Sequence, residues 1–124
     1  MPQSTLVVAA VDDDRRVRDS VQSVLESAGY ESVAFDSAEA LLDSGVLARV
    51  VCVLADVRLP GIDGLELQRR IRIERPTLPV IFMTAHDDDD IRVRALRDGA
   101  IAFMVKPFDG GELLEHIARA VSLG

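Results

Sequence analysis

The chain of 124 residues contains one cysteine, Cys52, so no disulfide can form within it. Cys52 lies in the apolar run Val50 to Leu54, where a buried, unreactive thiol is expected. So little cysteine fits a reducing cytoplasm. Long apolar stretches are also missing. The first run follows Met1–Thr5, which carries no basic residue, and it stops at Val11. That is neither a secretory leader nor a membrane span. Basic residues are few, with 14 Lys and Arg against 21 Asp and Glu and a net charge of −7. An electrostatic footprint for nucleic acid is therefore not expected. These shortages predict a soluble, cytoplasmic chain with no membrane association and no direct nucleic-acid contact.

The length suits a single domain over residues 1–124 with a core from about 6 to 121, and 48% hydrophobic residues can fill it. Five short apolar runs alternate with helical patterns: Leu6–Val11, Ser32–Phe35, Val50–Ala55, Val80–Thr84 and Ala100–Val105. Four are apolar nearly throughout, as strands buried on both faces of a parallel sheet are. The second, starting from Glu31, is more polar and suits a sheet edge.

Val17, Val21, Val24, Leu25 and Ala28 form one apolar helix face, and Gly29 supplies a stop. Asp36 with Glu39, Asp63 with Glu66 and Asp109 with Glu112 have capping-box spacing. Pro76 and Pro79 close the third helix and Gly99 the fourth, while Leu113, Leu114, Ile117 and Val121 give the last helix its apolar face. There is no internal repeat beyond the βα unit and no low-complexity linker. The expected fold is α/β: a doubly wound, five-stranded parallel sheet of flavodoxin-like order 2-1-3-4-5, with helices on both faces.

In such sheets ligands bind at the carboxyl ends of the strands. The first strand runs into Asp12-Asp13-Asp14, the third into Asp56, the fourth ends at Thr84 and the fifth at Lys106-Pro107. Three carboxylates from adjacent strands, Asp12, Asp13 and Asp56, thus converge and repel unless a cation neutralises them. Oxygen ligands without His or Cys favour Mg²⁺ or a similar hard ion. A carboxylate can also act as a nucleophile and form an aspartyl phosphate. In that reading Asp12 and Asp13 hold the metal, Asp56 attacks, and Thr84 and Lys106 bind phosphoryl oxygens. Singly, each residue has an ordinary alternative: an Asp after a strand is often a helix cap, and a Lys is often a solvated charge. All five at successive strand ends favour the joint functional reading.

Val11-Asp12-Asp13-Asp14, Asp56-Val57-Arg58-Leu59-Pro60-Gly61-Ile62-Asp63-Gly64, Thr84-Ala85 and Lys106-Pro107-Phe108 together resemble the signature of the CheY-like response-regulator receiver family. The likeness runs from about Leu6 to Val121. Arg58 and Thr84-Ala85-His86 are most similar to receivers attached to helix-turn-helix output domains. The resemblance implies two-component signalling, with Asp56 taking a phosphoryl group from a sensor histidine kinase and the domain catalysing only its own phosphorylation and dephosphorylation. It implies Mg²⁺ on Asp12, Asp13 and Asp56, aided by the Arg58 carbonyl. It implies Thr84 as switch hydroxyl, Phe103 as switch aromatic, and Lys106 on the phosphoryl group, joined to Pro107 by a cis peptide. An effector domain after Gly124 is compatible with it. So is a homodimer through the fourth helix, fifth strand and fifth helix, expected to be weak because Ala102 stands where many relatives carry an Asp. Arg58 and His86 are expected to border the water approach to the phosphoryl group and to modulate its loss.

A haloacid-dehalogenase-type phosphatase needs a second Asp two residues beyond the nucleophile, where this chain has Arg58. A flavodoxin-type cofactor binder needs small hydroxyl and glycine residues after the first strand, where three aspartates would repel phosphate. A receiver-like interaction module that takes no phosphate is the remaining alternative. Asp87–Asp90 suit a solvated loop capping the fourth helix, and Arg69, Arg70, Arg72, Arg75, Arg92, Arg94 and Arg97 suit solvated helix faces. His116, between Leu113 and Ile117, suits a structural role.

Overall fold

The computed structural model describes residues 6–123. Strands β1 (Val7–Val11), β2 (Glu31–Phe35), β3 (Cys52–Asp56), β4 (Val80–Thr84) and β5 (Ala102–Val105) form one sheet in the order β2-β1-β3-β4-β5. All pairings are parallel. Helices α1 (Arg15–Ser27), α2 (Ala38–Ser44), α3 (Gly64–Glu74), α4 (Asp89–Arg97) and α5 (Gly110–Leu123) make the crossovers. This is the expected α/β fold and strand order. Every residue of β1, β3 and β4 is buried, whereas edge strand β2 has no fully buried position. That difference explains why β1, β3 and β4 read as continuous apolar runs and β2 does not. Strand β5, expected to be buried on both faces as well, is the other sheet edge, and its buried and half-buried residues alternate.

Alternation along the strands divides the core in two. Val7, Ala9, Val11, Val53, Ala55, Val80 and Phe82 face α2, α3 and α4, with Leu41, Leu67, Ile71 and Ala95 packed on them. Val8, Ala10, Cys52, Leu54, Ile81, Met83, Ala102 and Met104 face α1 and α5, against Val21, Leu25, Leu113, Ile117 and Ala120. The α5 face therefore includes Ala120, while Leu114 and Val121 are only half-buried. Burial pushes the Cys52 thiol up to about 12, so it is the inert core group expected. No helix among the described residues is long and apolar enough to cross a membrane.

Two sequence expectations are corrected here. The cap of α2 is Ser37, whose hydroxyl accepts the Ala40 N–H at 3.1 Å, rather than Asp36. Glu39 consequently completes no capping box with Asp36. Arg72 and Arg75 are also more than solvated charges. Arg72 donates to the Asp98 carbonyl at 2.6 Å, and Arg75 donates to the Val50 carbonyl at 3.2 Å. Their long stems let polar ends reach across to neighbouring backbone from surface positions. By contrast, Asp63 caps α3 by accepting the Glu66 N–H at 2.9 Å, and Asp109 accepts the Gly111 N–H at 3.0 Å. A short 3-10 turn at Val46–Ala48, which the hydrophobic pattern did not reveal, leads into β3.

Candidate functional site

The register of β1 against β3 pairs Val11 with Ala55, so the residues that follow, Asp12 and Asp56, emerge side by side at the carboxyl edge. Asp12 is 1% exposed and Asp56 7%, while Asp13 is exposed. Buried carboxylates need partners, and Lys106 reaches across from the end of β5 to supply one. Its Nζ donates to Asp12 Oδ2 at 2.6 Å and to Asp56 Oδ2 at 2.8 Å. Burial pulls the Lys106 ammonium towards deprotonation, but its hydrogen bonds and charge attraction to Asp12 and Asp56 prevail and hold its pKa above that of an ordinary lysine.

The remaining oxygens are held by backbone. Asp12 Oδ1 accepts the Asp14 N–H at 2.9 Å, and Asp56 Oδ1 accepts the Arg58 N–H at 3.0 Å. Arg18 of α1 donates to the Asp12 carbonyl at 2.8 Å, a support the sequence reading missed because Arg18 lies one helical turn from the motif. Gly64, the last residue of the motif that begins at Asp56, has a steric role that the sequence pattern does not reveal. A Cβ there would collide with the Asp56 carbonyl, so only glycine lets α3 start this close beneath the acceptor strand.

Carboxylate oxygens of Asp12, Asp13 and Asp56 lie within 4.8 Å of one another. Three carboxylates against the single Lys106 ammonium leave a formal charge of −2 in an oxygen-only donor set. Both features fit a hard divalent cation such as Mg²⁺.

Thr84 is 2% exposed, and its hydroxyl accepts the His86 N–H at 3.2 Å. The Lys106 N–H donates to the Thr84 carbonyl at 2.7 Å, which ties the ends of β4 and β5 together. Register pairs Phe82 with Phe103 and Thr84 with Val105, so Thr84 and Phe103 share the α4 face of the sheet. Phe103 is half-buried, and the Arg92 guanidinium stands 5.2 Å from its ring centre while also pairing with Asp87. Arg92 is thus partly committed to this contact rather than freely solvated. The Lys106–Pro107 peptide is cis, as expected. The structure therefore brings Asp12, Asp13, Asp56, Thr84 and Lys106 to one edge. The side chains of Arg58 and His86 are exposed beside it, and Phe103 lies one layer back. Ala102 is buried on the α5 face. His116 sits at the surface of α5 with Arg119 3.0 Å from its Nδ1, consistent with the structural role expected.

This arrangement defines a doubly wound α/β domain with an acidic site at the switch point of its sheet. Residues 8–118 match the response regulator receiver domain model. The chain is 39% identical over 114 residues to the transcriptional regulatory protein FixJ of Bradyrhizobium diazoefficiens, covering 92% of this chain and 56% of that protein. It is 40% identical over 112 residues to the DNA-binding transcriptional regulator NtrC of Klebsiella pneumoniae, covering 90% of this chain and 24% of that protein. Among solved structures, the BeF3-activated DrrB receiver domain superposes with a TM-score of 0.88 at 29% identity, covering 95% of this chain and 98% of that one. The chain belongs to the response-regulator receiver-domain family, the phosphoacceptors of two-component signalling. No observation favours the phosphate-free module. The chain spans about half the length of FixJ and a quarter of NtrC.

Proposed function

We propose that Asp56 is the phosphoacceptor of a single domain over residues 1–124, with Asp12, Asp13 and the Arg58 carbonyl completing a Mg²⁺ site beside it. The observation that carries this reading is the bridge from Lys106 to both Asp12 and Asp56, which gathers nucleophile, metal carboxylates and phosphoryl-binding cation in one place. An Asp56 oxygen forms the new bond to phosphorus as the phosphorus–nitrogen bond to a histidine kinase's imidazole breaks. Bound Mg²⁺ would offset charge on the phosphoryl oxygens. Lys106 passes from the carboxylates to a phosphoryl oxygen, and the Arg58 N–H keeps the acceptor carboxylate oriented. Beyond the phosphoryl donor and the cation, the side chains this chemistry needs all lie within the domain, so it catalyses its own phosphorylation and dephosphorylation.

A groove of about 500 Å³ opens beside Lys106, with Val17, Pro107 and Phe108 offering apolar surface and Arg16 and Ser20 at its border. Its position supports approach of the donor kinase from the side of α1. Once Asp56 is phosphorylated, Thr84 leaves the His86 N–H for the phosphoryl group, and Phe103 turns into the space vacated. Phe carries no hydroxyl to strand on burial. The output is transcriptional, through an effector domain after Gly124 in a cytoplasmic regulator, a reading supported by relatives that are transcriptional regulators of which this chain spans only part. Association through α4, β5 and α5 is weak, since Ala102, buried on the α5 side of β5, brings no carboxylate to this face and an exposed ion pair is worth only about 0–1 kcal/mol. The phosphoryl group is long-lived, because Arg58 adds bulk and charge beside it without being able to act as a base, and exposed His86 shields the approach.

The test is mass spectrometry after incubation with acetyl phosphate. Phosphate mass is expected only with Mg²⁺ and only with Asp56 intact, and Arg58→Asn is expected to speed its decay. Equal phosphate gain in Asp56→Asn would sink the assignment.

A further inference from the structure

We infer that Glu39, on a helix that contributes nothing else to the site, is a positioning residue that shapes the loop carrying Arg58. This rests on the reading of Asp56 and its neighbours as a Mg²⁺-dependent phosphoryl site. Glu39 stands in the first turn of α2, and its Oε2 accepts the Ile62 N–H at 3.0 Å, from a residue 23 positions along the chain. The ends of the intervening loop are already fixed. Arg58 donates to Asp56 Oδ1, Gly64 donates to the Val57 carbonyl at 2.8 Å, and Asp63 caps α3. Among the described residues, the Glu39 contact is the one hydrogen bond that ties the backbone of Leu59–Ile62 to another element.

Three observations make this a built contact. Gly61 has φ of +73°, a left-handed conformation that suits glycine, and a Cβ there would strike the Glu39 carboxylate. The same glycine therefore turns the loop and admits the carboxylate. The Ile62 N–H, first among several influences, holds the Glu39 carboxyl below its ordinary value, with the Glu39 N–H and the Arg70 charge assisting and desolvation opposing. Finally, Glu39 Oε1 is buried without a partner. A stranded acceptor costs about as much as one hydrogen bond contributes. The net gain in stability is therefore small, and the larger effect of the contact is the loop shape it imposes.

That shape bears on chemistry. The Arg58 N–H orients Asp56, and the carbonyl of the same residue is the one proposed above to complete the cation site. A loop freed at Ile62 must be ordered each time the cation binds, and that ordering weakens binding.

The experiment compares the full chain with Glu39→Ala and Glu39→Gln, the latter keeping an oxygen acceptor. It reads Mg²⁺ affinity by amide NMR titration, hydrogen exchange at Ile62, and the urea midpoint. Glu39→Ala is expected to weaken Mg²⁺ binding about tenfold, within the range seen when residues behind metal ligands are removed. It is also expected to abolish Ile62 protection while the urea midpoint stays near that of the unmodified protein. Glu39→Gln is expected to restore both signals to within about twofold. Unchanged Mg²⁺ affinity in Glu39→Ala overturns the inference, as does a loss that Gln fails to rescue or that merely follows a fall in the urea midpoint. If the unmodified protein binds no Mg²⁺, the underlying reading of the site fails instead, a result distinct from equal binding by both forms.

Discussion

Two runs of aspartate lie at the same edge of the sheet and have opposite characters. Asp12–Asp14 follow β1, and Asp87–Asp90 follow β4 after a short turn. In the first run Asp12 is buried and shares Lys106 with Asp56, a residue 44 positions away on a different strand. In the second, every polar contact is local. Asp88 caps α4 by accepting the Asp90 and Ile91 N–H groups, Asp87 pairs with Arg92, and Asp89 and Asp90 sit exposed in the first turn. The longer run is the one that gathers no partner from another strand. Convergence from separate strands forces carboxylates together against their repulsion, and only a cation relieves that. Neighbours in sequence at a helix start are relieved by helix N–H groups and water.

The sharpest way to break this comparison is to remove one carboxylate from each run. Asp13→Ala is expected to weaken Mg²⁺ binding on the order of 10- to 100-fold, and Asp90→Ala by less than about twofold, read by titration of amide shifts. Equal losses would mean that bulk negative charge, not convergence, attracts the ion. Next in size is Lys106→Met, which leaves Asp12 and Asp56 facing each other without their ammonium. Because Lys106 is partly exposed, the expected loss is about 1–3 kcal/mol in urea unfolding without Mg²⁺, below the range for a fully buried pair. Saturating Mg²⁺ should recover most of it. Asp88→Ala removes a cap and should cost about 1 kcal/mol while leaving Mg²⁺ affinity unchanged, the reverse of the profile for Asp13. The smallest effect is expected from Arg92→Ala. It loses a cation–π contact worth about 0.5–1 kcal/mol and an exposed ion pair whose contribution is often near zero, and the Phe103 ring should show faster averaging of its NMR signals.

The same contrast explains what could be read from the sequence. Strands buried on both faces leave a continuous apolar signature, so sheet order and the strand-end position of Asp12, Asp56, Thr84 and Lys106 were legible. Contacts made by long side chains across elements leave none. Asp36 and Ser37 are adjacent and both competent to cap, and Glu39 stands at box spacing from Asp36. The path of the chain leaving β2 favours Ser37, and the freed Glu39 reaches Ile62 instead. Gln68 is 1% exposed and was invisible for the same reason: its partner is the Ala95 carbonyl, 27 positions away.

Gln68 and Arg72, one turn apart on α3, both take hold of the trailing end of α4. Gln68 Nε2 donates to the Ala95 carbonyl at 3.0 Å, and Arg72 donates to the carbonyl of Asp98. Among the described residues the leading end of α4 has no such tether to α3; Asp88 caps it, and Ile91 and Arg92 pack it on the core and on Phe103. Sliding α4 as a rigid rod would break both tethers, whereas swinging it about its trailing end would break neither. Such a swing would instead lift Arg92 off the Phe103 ring and Ile91 off the core, so those two contacts seat the end of the helix nearer Thr84.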